Sequence, residues 1–142
     1  MKYLLDSNVF IHLANRSAGA QQIEQRIIDA SMAQCLINAV IAAELRYKLE
    51  TGPGRVRKTA IELLTTLLAT VQCVDLSCAA GHEAGQIRAE LHRAGTPIGL
   101  PDALIAGHAR ASGLILVSDN SREFARVPDL QCENWRVQQA PK

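Results

Sequence analysis

Short runs of apolar residues alternate with longer stretches of helical periodicity along this chain. The runs at 3–5, 35–37 and 114–117 are typical of strands buried on both faces. Between such runs, apolar residues recur at three- and four-residue spacing, as at Ile23 and Ile27. The pattern predicts strands at 3–5, 35–37, 71–76, 114–117 and 130–132, and helices at 7–15, 20–33, 39–50, 56–70, 78–94, 101–112 and 122–125.

This alternation of strands and helices predicts an α/β fold. Strands that are joined through helices run parallel, and right-handed connections cover both faces of the sheet. We therefore expect three layers, with a mostly parallel central sheet of about five short strands flanked by helices. No linker or repeat divides the chain, so residues 1–135 are expected to form one domain and residues 136–142 a frayed tail.

The composition fits a globular chain and narrows the function only slightly. Hydrophobic residues make up 48% of the 142 positions, charged residues 20%, and the net charge is +1. If such a chain binds nucleic acid, it does so through a local basic patch. The first apolar run stops at Asp6 and no run approaches the roughly 18 residues of a spanning helix, so we expect a cytoplasmic protein without a membrane anchor.

The cysteines and histidines do not show the spacing of a zinc site. Cys35, Cys73, Cys78 and Cys132 contain no CxxC pair, and three of them fall in predicted strands. We therefore expect reduced, mostly buried thiols. The four histidines lack HExxH spacing, which favours packing or surface roles for them.

Four acidic residues stand where a parallel sheet would bring them to one edge. Asp6 directly follows the first predicted strand, and Asp119 follows the strand at 114–117 after one serine. Glu44 lies on the apolar stripe of its predicted helix, and Asp102 stands in the first turn of another. Ligands bind outside the carboxyl ends of parallel strands, so we expect these four acids to converge there.

Each acid also has an ordinary structural interpretation. Asp6 and Asp119 suit turns or helix caps, and Glu44 suits an exposed stripe edge. The helix dipole favours Asp102 by roughly 0.3–1 kcal/mol. Together, however, clustered carboxylates raise one another's pKa values, and one or two Mg²⁺ or Mn²⁺ ions would relieve their repulsion. Such a site can activate a water and bind a phosphodiester, so the pattern predicts metal-dependent phosphodiester hydrolysis.

Short motifs follow one another in a definite order: Leu4-Leu5-Asp6-Ser7-Asn8, Ala43-Glu44-Leu45, Pro101-Asp102-Ala103, Val117-Ser118-Asp119-Asn120 and Glu133-Asn134-Trp135. This ordered set resembles the motifs of PIN-domain ribonucleases and, among them, the VapC toxins of type II toxin–antitoxin systems. The resemblance covers nearly the whole chain. It implies a three-layer PIN-like fold and a Mg²⁺- or Mn²⁺-dependent endoribonuclease that leaves a 5′-phosphate and a 3′-hydroxyl.

The resemblance also implies roles for individual residues. The three main acids of the family, which would bind the metal, match Asp6, Glu44 and Asp102. For the fourth acid we favour Asp119, with Asn120 and Glu123 as alternatives. Ser7 and Asn8 match a polar pair that supports the first acid, and both would serve equally well as helix caps.

Partners are implied in the same way. VapC toxins usually form homodimers and bind a VapB antitoxin, which often inserts a side chain into the acidic site and carries the pair to operator DNA. The segments at 21–33 and 56–70 suit antitoxin or dimer surfaces, or ordinary core helices. Many VapC toxins cut tRNA, and the ending Glu133-Asn134-Trp135 is most similar to members that cut initiator tRNA.

A basic group brackets the break at Gly52-Pro53-Gly54 and could contact RNA phosphates near Glu44, or form a solvated helix end. Its members are Arg46, Lys48, Arg55, Arg57 and Lys58.

Two other functions fit parts of the pattern. A PIN-like domain without turnover would act as a binding module through its antitoxin, although all the acid positions are retained here. A phosphatase of the haloacid dehalogenase type uses an Asp after strand one as its nucleophile. That class needs a second Asp two residues later, where this chain has Asn8.

Overall fold

A parallel sheet of five strands forms the centre of the protein. The computed structural model describes residues 1–137, apart from the side chains of residues 55 and 56. Within that range the spatial order is β3-β2-β1-β4-β5, and all neighbouring pairs are parallel, so the sheet is wholly rather than mostly parallel. From residue 138 onwards, the predicted frayed tail lies outside the described residues. The strands are β1 (Tyr3–Leu5), β2 (Cys35–Asn38), β3 (Gln72–Val74), β4 (Ile115–Val117) and β5 (Cys132–Glu133).

Seven helices flank the sheet in this part of the chain. They are α1 (Ser7–Asn15), α2 (Ala20–Ala30), α3 (Ala39–Glu50), α4 (Gly54–Thr70), α5 (Cys78–Arg93), α6 (Leu100–Ser112) and α7 (Ser121–Phe124). These bounds confirm the predicted elements to within a few residues. The largest difference is in α2, which ends three residues early because the φ of 74° at Ser31 cannot continue an α-helix. None of the described helices is long and apolar enough to cross a membrane.

Both faces of the central strands are covered. Leu4 and Leu5 point to opposite faces of β1, and each has 0% of its surface exposed. The same is true of Leu116 and Val117 in β4. This burial holds the two strands in register and thereby fixes the residues that follow them.

Helix α6 packs very closely against α5 at Gly107. A Cβ atom on Gly107 would lie 2.6 Å from the Ala84 nitrogen, so no larger residue fits unless a helix moves. Arg110, one turn further along α6, forms an ion pair of 2.6 Å with Glu83 of α5. These contacts fix the position of α6, whose first turn carries Asp102.

Polar side chains cap the starts of both α3 and α1. Asn38 caps α3, and its Oδ1 accepts a hydrogen bond of 3.0 Å from the Ile41 N–H. The N-cap of α1 is Asp6, whose side chain accepts from the Ser7 N–H. The prediction that Ser7 or Asn8 caps α1 is therefore wrong, because the helix begins one residue earlier than the polar pair suggested.

The prediction of mostly buried cysteines is also wrong, although all four are free thiols. Cys35 is buried, Cys73 and Cys78 are exposed, and Cys132 is half-buried. The strands of Cys73 and Cys132 lie at the two edges of the sheet, where a side chain is covered less completely than in the centre.

Candidate active site

The ends of β1 and β4 lie side by side. Leu5 pairs with Val117, and the Asp6 N–H donates to the Val117 carbonyl oxygen at 2.9 Å. Because the strands are parallel, the residues that follow them, Asp6 and Ser118, emerge at the same edge of the sheet. β2 ends at this edge too, at the Asn38 that starts α3. The carboxyl ends of β1, β2 and β4 therefore lie at the same edge of the sheet, as predicted.

Asp6 is the most deeply placed of the candidate acids, with 4% of its surface exposed. Its Oδ1 accepts from the Ser7 N–H at 2.7 Å, and its Oδ2 accepts from Ser118 Oγ at 2.8 Å and Asn8 Nδ2 at 3.3 Å. Burial raises the pKa of Asp6, and these hydrogen bonds and the charge of Lys48 counteract that rise. The carboxylate is thus held in one orientation by neutral donors.

Glu44 faces this cluster from α3. Its Oε2 accepts a hydrogen bond of 3.0 Å from Ser7 Oγ, and Ser7 Oγ accepts one of 3.0 Å from Lys48 Nζ. The Ser7 side chain therefore links Glu44 to Lys48, while its backbone N–H binds Asp6. The family resemblance links Ser7 with the first acid, Asp6. In the structure, Ser7 binds both Asp6 and Glu44.

Asp102 approaches from the first turn of α6. Burial raises its pKa to about 6, and the negative charges of Glu123, Asp6 and Glu44 add to that rise, while Lys48 opposes it. A carboxyl group responds in this way only to charges that are near it. These effects indicate that Asp102 lies near Glu123, Asp6 and Glu44.

Asp119 lies at the other side of Asp6 and has basic partners. Its Oδ2 is 2.5 Å from His12 Nε2 and 3.6 Å from an Arg136 guanidinium nitrogen. Ser17 Oγ contacts the other ring nitrogen of His12 at 2.7 Å. The sequence analysis favours packing or surface roles for the histidines and therefore misses this contact of His12 with Asp119. The sequence does indicate that His12 is near the candidate site, because it follows Asn8 by four residues on the same face of α1.

The alternatives for the fourth acid lie nearer to Asp102. Asn120 Nδ2 donates to Glu123 Oε2 at 2.8 Å, and Arg126 pairs with Glu123 Oε1 at 3.2 Å. Among neighbouring charges, Glu123 has the largest effect on the pKa of Asp102. The two acidic candidates for the fourth position therefore have different neighbours, since Asp119 acts on Asp6 and Glu123 acts on Asp102.

The predicted basic group does not act as one patch. Arg46 pairs with Glu50 at 2.7 Å on the exposed face of α3, and Lys48 points into the acidic cluster. Arg57 donates to the Gly52 carbonyl oxygen at 3.3 Å, and Lys58 is exposed on α4. The side chain of Arg55 lies outside the described part of the structure.

A groove of about 580 Å³ opens beside the cluster, between α1, α3 and α4. Its apolar lining includes Ile11, Leu49 and Leu63, and Lys48 stands at the end nearest the acids. Leu63 has 57% of its surface exposed, and nearby Tyr47 has 70%. Such exposed apolar side chains are typical of a protein interaction surface.

The donor set at the sheet edge suits a hard divalent cation. Asp6, Glu44 and Asp102 supply carboxylate oxygens, which Mg²⁺ and Mn²⁺ prefer. Among residues 1–137, no three His, Cys, Asp or Glu side chains are placed so that they could hold one ion together. Mg²⁺ keeps several of its waters when few carboxylates bind it directly, and the remaining acids would then hold it through those waters.

Comparison with known proteins points in the same direction. The model of the PIN-domain family matches residues 3–130. The tRNA(fMet)-specific endonuclease VapC of Shigella flexneri is 36% identical over 136 residues, which are 95% of this chain and 98% of that protein. Ribonuclease VapC2 of Haemophilus influenzae (strain ATCC 51907 / DSM 11121 / KW20 / Rd) is 36% identical over 135 residues, with the same coverage of both chains.

Solved structures show the same fold. DNA-bound VapBC from Salmonella typhimurium matches with a TM-score of 0.83 at 32% identity, over 95% of this chain and 98% of that one. VapBC2 from Rickettsia felis, bound to a DNA fragment from its promoter, matches with a TM-score of 0.81 at 29% identity, over 95% and 99%. The chain therefore shares the fold of these proteins over nearly its whole length.

Proposed function

The chain belongs to the PIN-domain family, among its VapC ribonuclease toxins, and we propose that it cuts RNA with Mg²⁺ or Mn²⁺ bound at the acidic edge. The observation that carries this proposal is the convergence of Asp6, Glu44 and Asp102, where burial and like charge raise the pKa of Asp102 to about 6. Strongly perturbed carboxyl groups of this kind concentrate at functional sites. PIN-domain nucleases generally depend on a divalent metal, in agreement with this donor set.

The contacts of each acid suggest its part in the reaction. When bound, the cation acts as a Lewis acid that activates water and offsets the charge of the phosphate. Asp6 would be the fixed ligand, because Ser118 and the Ser7 N–H hold its two oxygens. The Ser7 hydroxyl orients Glu44, and Asp102 would contribute a further carboxylate from α6. Above its pKa of about 6, Asp102 is ionised and available to a cation.

Asp119 remains our choice for the fourth acid, and its negative charge raises the pKa of Asp6. Asn120 and Glu123 stay alternatives, since Glu123 exerts its charge on Asp102 instead. In this proposal Asn8 is a supporting residue, because its side chain contacts Asp6, Ser118 and the Asp119 N–H.

The bond cleaved determines the products. An activated water oxygen bonds to phosphorus, the bond from phosphorus to the 3′ oxygen breaks, and the released 3′ oxygen takes up a proton. The products are then a 5′-phosphate and a 3′-hydroxyl. We propose tRNA as the substrate, and initiator tRNA in particular, because the similar Shigella flexneri enzyme is described as tRNA(fMet)-specific. This activity would operate in the cytoplasm, where tRNA is found.

The RNA backbone would need cationic contacts beside the cluster. Lys58 is exposed on α4, and Arg57 lines the groove, so both are free to approach a phosphate. We also propose phosphate contacts for Arg46, Lys48 and Arg55, the other members of the basic group. Arg46 would first have to leave Glu50.

A VapB-type antitoxin is the protein partner that we propose. Structures of similar chains are VapBC complexes, two of them bound to DNA, so binding to operator DNA would proceed through the antitoxin. The groove between α1, α3 and α4 offers the apolar surface that a helical segment of a partner requires. We also propose a homodimer, and residues 1–135 as the unit that carries all these activities.

The decisive experiment is cleavage of total cellular RNA by antitoxin-free protein, with Mg²⁺ or Mn²⁺ and with EDTA, followed by mapping of the new 5′ ends. We expect a few discrete cuts, in tRNA, that require the metal. Asp6→Asn should abolish them. Asp75→Asn is the matched control, because Asp75 also follows a parallel strand but is exposed and two strands away.

Folded wild-type protein that cuts no RNA under any condition would contradict a nuclease and favour a binding module. Cleavage that persists in EDTA would contradict the metal requirement alone. The PIN-domain match removes the ground for the phosphatase alternative.

Antitoxin binding can be tested separately from catalysis. Leu63→Asp places a charge in the groove and should weaken antitoxin binding about 100-fold or more, in the range of buried interface residues. Cleavage by the free toxin should be retained. Leu68→Asp is the control, since Leu68 is 37% exposed on the same helix and does not line the groove. Equal affinity of both variants, measured by calorimetry, would place the antitoxin elsewhere.

A further inference from the structure

The ammonium of Lys48, an exposed residue of α3, reaches the border of the acidic cluster. Lys48 Nζ donates to Ser7 Oγ at 3.0 Å, and the Ser7 hydroxyl in turn donates to Glu44 Oε2 at 3.0 Å. The positive charge of Lys48 lowers the pKa of both Asp6 and Asp102. The Lys48 charge thus acts on both of these acids.

This placement differs from an ordinary pair on a helix surface. Lys48 follows Glu44 by four residues, the spacing at which Glu and Lys usually pair directly. Arg46 and Glu50, with the same spacing on the same helix, do pair directly at 2.7 Å on the exposed face. Between Glu44 and Lys48 the contact instead passes through Ser7 of α1, so the ammonium is drawn over the cluster rather than along the helix.

We propose that Lys48 is the built-in counter-ion of this carboxylate cluster and that its ammonium competes with the divalent cation for it. The proposal rests on the proposed function, which requires that cation. Without the cation, the ammonium offsets part of the repulsion among Asp6, Glu44 and Asp102. When the cation binds, the same ammonium becomes a like charge beside it and weakens its binding.

Two effects of opposite sign follow from this arrangement. Removal of the ammonium should destabilise the metal-free fold, because the carboxylates lose their counter-ion. The same removal should tighten binding of the divalent cation, because a repulsive charge is gone. A purely structural lysine would not produce the second effect, since a loosened site binds metal more weakly.

The test is Mn²⁺ binding to antitoxin-free protein, measured by electron paramagnetic resonance of free Mn²⁺ and by calorimetry. Lys48→Met should bind Mn²⁺ roughly threefold to tenfold more tightly than wild type, the range expected for one like charge in a partly solvated site. Lys48→Arg should keep the wild-type affinity. Lys2→Met is the matched control, because it removes the same charge at the opposite end of β1, and should change nothing.

A second measurement keeps the proposal open to contradiction if Lys48→Met is poorly folded. In EDTA, Lys48→Met should lower the urea midpoint of unfolding, and should lower it much less when Glu44→Gln is already present. Unchanged Mn²⁺ affinity of a folded Lys48→Met, with wild type binding normally, would overturn the role of Lys48 and leave the nuclease proposal intact. Wild type that binds no Mn²⁺ would overturn both.

Discussion

Asp6 and Asp119 follow neighbouring strands at the same edge of one sheet, yet their surroundings differ in charge. Asp6 is held by a backbone N–H and by the neutral side chains of Ser118 and Asn8. Asp119 is held by His12 and lies near Arg136. Neutral donors fix a carboxylate without cancelling its charge, whereas a nearby guanidinium such as that of Arg136 offsets part of it. Adjacent strand ends thus carry one acid that is held by neutral donors, with the Lys48 charge acting on it from α3, and one that directly contacts His12 and lies near Arg136.

The comparison predicts unequal losses of activity. Asp6→Asn should reduce the rate of RNA cleavage at least about 100-fold, while Asp119→Asn should reduce it roughly tenfold, since a carboxylate already bound to a basic side chain contributes less to a metal. Initial rates with saturating Mn²⁺, beside the Asp75→Asn control, provide the measurement. Equal losses in the two variants would show that the basic partners of Asp119 do not matter.

Removal of the His12 imidazole tests whether His12 and Asp119 act as one unit. His12→Ala frees Asp119 from its hydrogen bond, and we expect a loss of cleavage of roughly tenfold, as is typical when a group that orients a ligand is removed. His12→Ala combined with Asp119→Asn should be no worse than Asp119→Asn alone, because both changes break one interaction. His82→Ala, at an exposed histidine of α5, is the control. Fully additive losses would mean that His12 acts without Asp119.

The stability of the metal-free protein should also respond to pH through Asp102. The pKa of Asp102 is about 6 in the folded chain, against an ordinary value of 3.8. Between these values the folded protein binds more protons than the unfolded chain, so the stability of the metal-free protein falls as pH rises through this window. After allowance for solvent screening, the fall is about 1 kcal/mol. The raised pKa of Asp6 acts in the same direction.

Urea unfolding in EDTA at about pH 4 and about pH 7 measures this effect. Asp102→Asn should reduce the difference between the two conditions and should be more stable than wild type at the higher pH. Asp75→Asn should behave as wild type. A stability that rises with pH in wild type and variant alike would show that Asp102 is not strained in the folded chain.

Several residues of the candidate site could be predicted, because each is marked by the few residues that precede it in the sequence. A short apolar run followed directly by Asp6 indicates both the strand and the acid that leaves it. Pro101 before Asp102 likewise indicates a helix start. Edge strands gave weaker signals, so the exposure of Cys73 was missed. The sequence also suggested one basic patch, whereas packing separates Arg46, which faces solvent, from Lys48, which faces the acids.

The sequence by itself determined the order of strands and helices and the placing of acids at strand ends, because hydrophobic period and chain adjacency are local properties. Only the tertiary structure decided which groups bind those acids. Ser118 meets Asp6 across 112 positions, and His12 meets Asp119 across 107. A hydrogen bond forms only within a few tenths of an ångström of its ideal length. Such placement is set by how the helices pack on the sheet, and no single segment contains that information.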